Sequence, residues 1–199
     1  EESNWGAFIA DQMRGAFRGP PAELAFVNGG TLRIDDFIAD EITFDAVGRT
    51  FGFSSFLRRM TMTGADFRTL LEAGYRGAGP SKGYFPQVSG FRVCVDRRLP
   101  EGRRIVSLQV PVASGWQEIE PGRNYSLVAP DYLYGGGDGY DFSAATNVSL
   151  AGSELKYLVV DGIVRAQAEG RTVGGPSNPQ NPRIVILTNE RRECWQESR

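Results

Sequence analysis

The chain has 199 residues, 41% hydrophobic and 23% charged, enough for one well-buried core or two small ones. Its 22 Lys and Arg against 24 Asp and Glu leave a net charge of -2, so no bulk field draws the whole chain to nucleic acid or to an anionic membrane. Histidine is absent, which excludes Ser-His-Asp and Cys-His triads, His-ligated zinc and His-rich two-metal phosphoesterase centres.

From Asn4 to Arg18, Trp5, Phe8, Ile9, Met13, Ala16 and Phe17 recur at helical spacing behind Ser3 or Asn4 as N-cap, and Gly19-Pro20-Pro21 stops the helix. Leu24 to Val27 reads as a buried strand delivering a tight loop, Asn28-Gly29-Gly30. Phe44 to Arg49 is a second helical stretch. Phe56 to Met62 is a strand, and Thr63-Gly64-Ala65-Asp66 opens a helix with Phe67, Leu70 and Leu71 on one face. Gly74 to Gly83 is a loop; Tyr84 to Asp96 and Arg104 to Val110 follow as strands joined in a hairpin manner. Tyr125 to Ala129 is a strand running into the glycine-dense stretch Pro130 to Tyr140.

Ser153 to Ala168 is the last long helix, with Gly170 beyond it as the stop. Gly174 to Pro182 is a connector, Ile184 to Leu187 a closing strand, and the charged residues after Thr188 a tail expected to fray. The fold class is therefore α+β with at least one mixed or antiparallel sheet in a single domain, 1–188, followed by a tail, 189–199. No run approaches the roughly 20 apolar residues of a membrane span, and the start Glu1-Glu2-Ser3-Asn4 reads as excised from something longer. Cys94 and Cys194 are either free thiols or one long-range bridge, and Cys94, alternating with Val93 and Val95, fits a core thiol.

Asn28-Gly29-Gly30-Thr31-Leu32-Arg33 has the make-up of an anion site: glycines let backbone amides approach a ligand, and Arg33 adds a planar cationic fork. Tyr132 lies six residues before Asp138, so one loop offers an aromatic face for a flat base and a carboxylate for neighbouring sugar hydroxyls. Phe53, on a small-residue turn before a strand, is a further stacking candidate. Each local pattern taken alone is met more often as a turn or as core packing. The pairs Asp35-Asp36 and Glu118 with Glu120 lack a third ligand at useful spacing and read as solvated charge.

In their order these pieces resemble the C-terminal domain of the 5'-nucleotidase family, metallophosphoesterases acting on nucleotides, UDP-sugars and related esters. The resemblance rests on Asn4-Trp5-Gly6, the Asn28 to Arg33 loop, Phe53 ahead of a strand ending in Thr63-Gly64, Gly83-Tyr84-Phe85-Pro86-Gln87-Val88-Ser89-Gly90, and Asp131-Tyr132-Leu133 leading to Gly136-Gly137-Asp138-Gly139-Tyr140. It implies a layered α/β arrangement of mixed sheets flanked by helices. It further implies that Phe53 and Tyr132 sandwich a base, Gly83 lines its edge, Asn28 bonds near the base or sugar, Asp138 takes the ribose hydroxyls and Arg33 meets the ribose-phosphate side.

The implied ligand is a nucleotide or nucleoside. The implied partner is an N-terminal metallophosphoesterase domain of the same parent protein, which holds the divalent metals; no cofactor belongs to this chain, and its setting is periplasmic or extracellular. The chain departs from the family at Thr31, where a third glycine is usual, and at Gly52-Phe53-Ser54-Ser55, where Pro-Phe-Gly-Asn is common. The family's further arginine upstream of the first helix falls before Glu1. Those departures suit an alternative, a non-catalytic interaction or scaffold module with a decayed nucleotide pocket.

Overall fold

A computed structural model describes residues 2–33, 41–77, 82–173 and 182–195. The Asp35-Asp36 pair lies outside them, as do most of the 174–182 connector and the middle of the 74–83 loop.

Helix α1, Asn4–Arg14, starts where the Ser3 hydroxyl accepts the Gly6 amide, and it buries Ile9, Ala10 and Met13. It ends at Arg14, four residues short of the expected Arg18, because the Gly15 amide turns back onto Gln12 and Met13 and the Arg14 guanidinium donates to the Ala22 carbonyl at 2.8 Å. Ala16 and Phe17 still pack on the core from outside the helix. Helix α2, Phe44–Thr50, is capped by Thr43; α3, Gly64–Glu72, by Thr63, whose hydroxyl accepts from the Asp66 amide and donates to its carboxylate at 2.6 Å. A single helical turn, α4, spans Asp131–Tyr134. The last long helix, α5, spans Leu155–Ala168, with Gly170 beyond it at φ +66°.

Five strands form the first sheet: β1 (Leu24–Asn28), β2 (Leu57–Thr63), β3 (Pro86–Ser89), β7 (Asn124–Pro130) and β8 (Thr146–Leu150), in the order β3-β1-β7-β2-β8. Only β1 and β7 run parallel, in register Leu24 to Leu127; the other neighbours are antiparallel. Strand alternation divides β1 between two cores. Ala25 and Val27 face α1, α2 and α5, whereas Leu24 and Phe26 face α3 and the second sheet. That sheet holds β4 (Arg92–Asp96), β5 (Ile105–Val112), β6 (Gly115–Glu118) and β9 (Ile184–Leu187), ordered β6-β5-β4-β9 with β9 parallel to β4. The result is the expected layered arrangement, helices flanking mixed sheets.

Two sequence expectations are corrected here. Tyr84 to Asp96 is not one strand but β3 and β4, which belong to different sheets. The break is at Gly90, φ +80°, where a β-carbon would strike the Glu23 carbonyl. The described part of the charged segment after β9, 188–195, is held in place and not frayed. Cys194 is bridged to Cys94, so Cys94 is no free core thiol, and the Trp195 indole donates to the Pro182 carbonyl at 2.9 Å. Arg92 lies under the Trp195 ring at 4.2 Å and under Trp116 at 4.8 Å.

Candidate functional site

The parallel pair β1 and β7 sends two loops out from the same end of the first sheet, and the starts of β2 and β3 return there because both strands are antiparallel to their neighbours. Asn28 is the last residue of β1 and only 2% exposed. Its side-chain amide donates to Asp138 Oδ2 at 2.7 Å, and its carbonyl accepts the Thr31 hydroxyl at 2.6 Å. Both ends of the Asn28 side chain are thereby oriented.

Gly29, Gly30 and Thr31 form a single tight turn. The Gly29 amide donates to the Phe85 carbonyl and the Gly30 amide to the Gly83 carbonyl, each at 2.7 Å. These amides therefore do not face a ligand, contrary to the anion-site reading of the loop. The glycines serve close packing instead: a β-carbon on Gly30 would sit 3.1 Å from Asn28 Nδ2 and 3.3 Å from the Gly83 carbonyl.

At the end of β7, Asp131 fixes the second loop. Its amide donates to the Phe56 carbonyl at 2.8 Å, and its carboxylate accepts the Phe56 and Tyr132 amides at 3.2 and 2.9 Å. The turn of α4 then buries Leu133 completely and directs Tyr132 outward, 56% exposed. The chain returns through Gly136, Asp138 and Gly139, all left-handed, at φ +90°, +52° and +69°. This brings Asp138 Oδ1 to 3.2 Å from the Tyr132 hydroxyl, which donates to it.

Phe53 comes from the link between α2 and β2. Phe51 is buried, whereas Phe53 is 74% exposed. Arg33 lies 5.4 Å from the Phe53 ring centroid, its backbone amide held by the Thr50 carbonyl at 2.8 Å, and Thr50 is in turn bonded by the Trp5 indole at 3.1 Å. The Asn4-Trp5-Gly6 landmark thus supports the Arg33 side of the site from behind. Ser54 and Ser55 tie the Phe53 link to the start of α5, through Glu154 Oε1 at 3.2 Å and the Leu155 amide at 2.8 Å.

Asn28, Arg33, Phe53, Gly83, Tyr132 and Asp138, spread over more than half the sequence, line one cavity of about 500 Å³ together with Gly30, Thr31, Ser54 and Ser55. The Asp138 carboxylate lies beside the exposed Tyr132 ring and the Arg33 guanidinium beside the exposed Phe53 ring. Such a cavity suits a flat, partly polar molecule of nucleoside size. The sequence marks Ser54 and Ser55 only as departures, and Thr31 as a departure within the Asn28 to Arg33 loop, whereas all three line the cavity.

Glu118, by contrast, is taken up by Ser107, the Leu108 amide, Gln109 and Arg68, and Glu120 by Gln117, as the solvated-charge reading expects. Among the described residues no group of three or more Asp, Glu, Cys or His is placed to hold a metal ion, and no helix is long and apolar enough to cross a membrane.

Comparison with known proteins agrees with this architecture. The family of 5'-nucleotidase C-terminal domains matches residues 1–146. A snake venom 5'-nucleotidase from Gloydius brevicauda is 28% identical over 166 residues, which are 75% of this chain and 28% of that protein. A cell wall protein of Listeria monocytogenes is 26% identical over 191 residues, covering 87% of this chain and 24% of its own. The crystal structure of a 5'-nucleotidase precursor from Thermus thermophilus superposes with a TM-score of 0.83 at 26% identity, over 94% of this chain and 36% of that one. The fold recurs in the NAD nucleotidase of Haemophilus influenzae, TM-score 0.65 at 20% identity, over 94% of this chain and 33% of that one. This chain spans between 24% and 36% of the length of these proteins. It belongs to the 5'-nucleotidase C-terminal domain family.

Proposed function

We propose that this domain, running over 1–188, holds the base and ribose of a nucleotide or nucleoside for hydrolysis by an N-terminal metallophosphoesterase domain of the same parent protein. The observation that carries the proposal is the convergence of two exposed rings, Phe53 and Tyr132, on one cavity with the Asn28–Asp138 pair and Arg33. A base stacks against the rings. Each Asp138 oxygen accepts one protein donor, which leaves each a further lone pair for a vicinal ribose hydroxyl. The Arg33 fork meets the phosphate side. No metal step is assigned to these residues, whose donors do not form a metal centre.

A bridge between Cys94 and Cys194 is formed and kept in an oxidising compartment, which supports a periplasmic or extracellular setting. Relatives named as venom and cell wall proteins fit the same setting.

Calorimetric titration with AMP, adenosine and UDP-glucose tests the proposal, and no detectable heat at millimolar ligand sinks it. Phe53→Ala and Tyr132→Ala are each expected to weaken adenosine binding about tenfold, in line with about 1–3 kcal/mol per stacked base. A second reading, a scaffold with a decayed pocket, is favoured by the way Thr31 and Asp138 between them occupy the Asn28 amide. Unchanged affinity in both alanine variants supports that second reading.

A further inference from the structure

Asp138 is held in the left-handed region, φ +52°, which a non-glycine residue keeps only where its surroundings impose it. Asn28 and Tyr132 hold its side chain, and its peptide is held by Arg76, a residue that does not line the cavity. Arg76 Nη1 donates to the Asp138 backbone carbonyl at 2.6 Å and to the Ala73 carbonyl at 2.8 Å. Its guanidinium has no carboxylate partner among the described residues, so the charge is directed onto the Asp138 peptide. A β-carbon on Gly139 would come within 3.2 Å of Arg76 Nη1, so glycine there lets the loop close onto the arginine.

Arg76 is fixed in turn from the other wall of the cavity. Its guanidinium lies over the Tyr84 ring, 4.1 Å from the centroid, and the Tyr84 hydroxyl donates back to the Arg76 carbonyl at 2.7 Å. The Tyr140 hydroxyl donates to the Tyr84 carbonyl at 2.7 Å. Tyr140 is buried, and burial beside the Asp138 carboxylate raises its phenol well above the ordinary range, so it stays a donor. Tyr84 directly follows Gly83, whose carbonyl holds the Gly30 amide.

We infer that Arg76, locked by Tyr84 and Tyr140, is a positioning residue that aims the Asp138 carboxylate into the cavity and couples that aim to the Gly83 wall. This inference rests on the proposed reading of Asp138 as the ribose acceptor. It deepens that reading by naming what sets ribose selectivity. Lysine replaces Arg76 only in part, since a compact ammonium does not lie flat on Tyr84 while bridging two carbonyls.

The test compares adenosine with 2',3'-dideoxyadenosine by calorimetry on the wild-type chain, Arg76→Gln, Arg76→Lys and Tyr84→Phe. Arg76→Gln is expected to reduce the preference for adenosine by about tenfold, the size of one charge-assisted hydrogen bond, while the dideoxy affinity stays within about twofold. Arg76→Lys and Tyr84→Phe are expected to fall between glutamine and wild type. Equal weakening of both ligands, or an unchanged ratio, overturns the inference. If the wild-type chain binds neither nucleoside, the binding proposal fails by itself. The clamp is then read from amide hydrogen exchange at Gly139 and Tyr140, whose amides bond to Gly136 and Gly137 at 3.2 Å. That exchange is expected to quicken about tenfold in Arg76→Gln through local opening, and an unchanged rate overturns the clamp.

Discussion

The oxidised chain is expected to resist urea by about 4 kcal/mol more than a Cys94→Ala/Cys194→Ala variant. The bridge closes a loop of 100 residues in the unfolded chain, for which chain entropy alone gives roughly 4.7 kcal/mol. In the folded chain it joins β4 to the segment that follows β9, and among the described residues β9 is an edge strand paired only with β4. Cys94 is fully buried with Val185 and Leu187, and Trp195 packs against the same cluster, so losing the bridge also frees a small apolar layer. Nucleoside affinity is expected to stay within about twofold, because none of the residues of that cluster lines the cavity. Urea titrations of the two forms under matched conditions measure the difference. A gap below about 1 kcal/mol is inconsistent with the bridge as a constraint on the unfolded chain.

Elements with local signals were legible in the sequence, and elements that depend on distant partners were not. The α3 start was readable because Thr63 and Asp66 satisfy each other three residues apart. β1 and β7 were readable as continuous apolar runs because both faces are covered. β6 and β8 were missed because each is an edge strand largely open to solvent, which erases the alternation that marks a half-buried strand. The division of β3 from β4 escaped notice because Gly90 owes its role to Glu23, far away in the chain.

The site divides along the same line. Arg33, Phe53, Tyr132 and Asp138 were candidates on their local chemistry, but each loop alone resembled an ordinary turn, and only the family resemblance joined them with Asn28 and Gly83 into one site. Nothing in the sequence indicated that the Gly29 and Gly30 amides bond to Phe85 and Gly83, or that the Thr31 hydroxyl holds Asn28. Arg76 gave no signal at all: it lies 62 residues from Asp138 and meets it through backbone, which no residue pattern encodes.

Asp138→Asn and Asp138→Ala separate what the carboxylate does for the ligand from what it does for the protein. Asp138→Ala is expected to weaken adenosine binding about 100-fold, since two charge-assisted bonds to vicinal hydroxyls at about 1.5 kcal/mol each are lost, and Asp138→Asn, which leaves neutral bonds in their place, about tenfold. Neither is expected to weaken 2',3'-dideoxyadenosine by more than about threefold, because that ligand offers no hydroxyl pair. Their stabilities should differ. Asn28 is 2% exposed and donates to Asp138, so alanine leaves a buried amide hydrogen without its acceptor, at about 1–3 kcal/mol. Asparagine keeps an oxygen for Asn28, and it tolerates the left-handed backbone that alanine does not favour. The expected pattern is therefore an asparagine variant folded nearly as stably as wild type with a reduced preference for the ribose hydroxyls, and an alanine variant less stable by about 2 kcal/mol and blind to them. Adenosine affinity within about threefold of wild type in the asparagine variant removes Asp138 from ribose recognition.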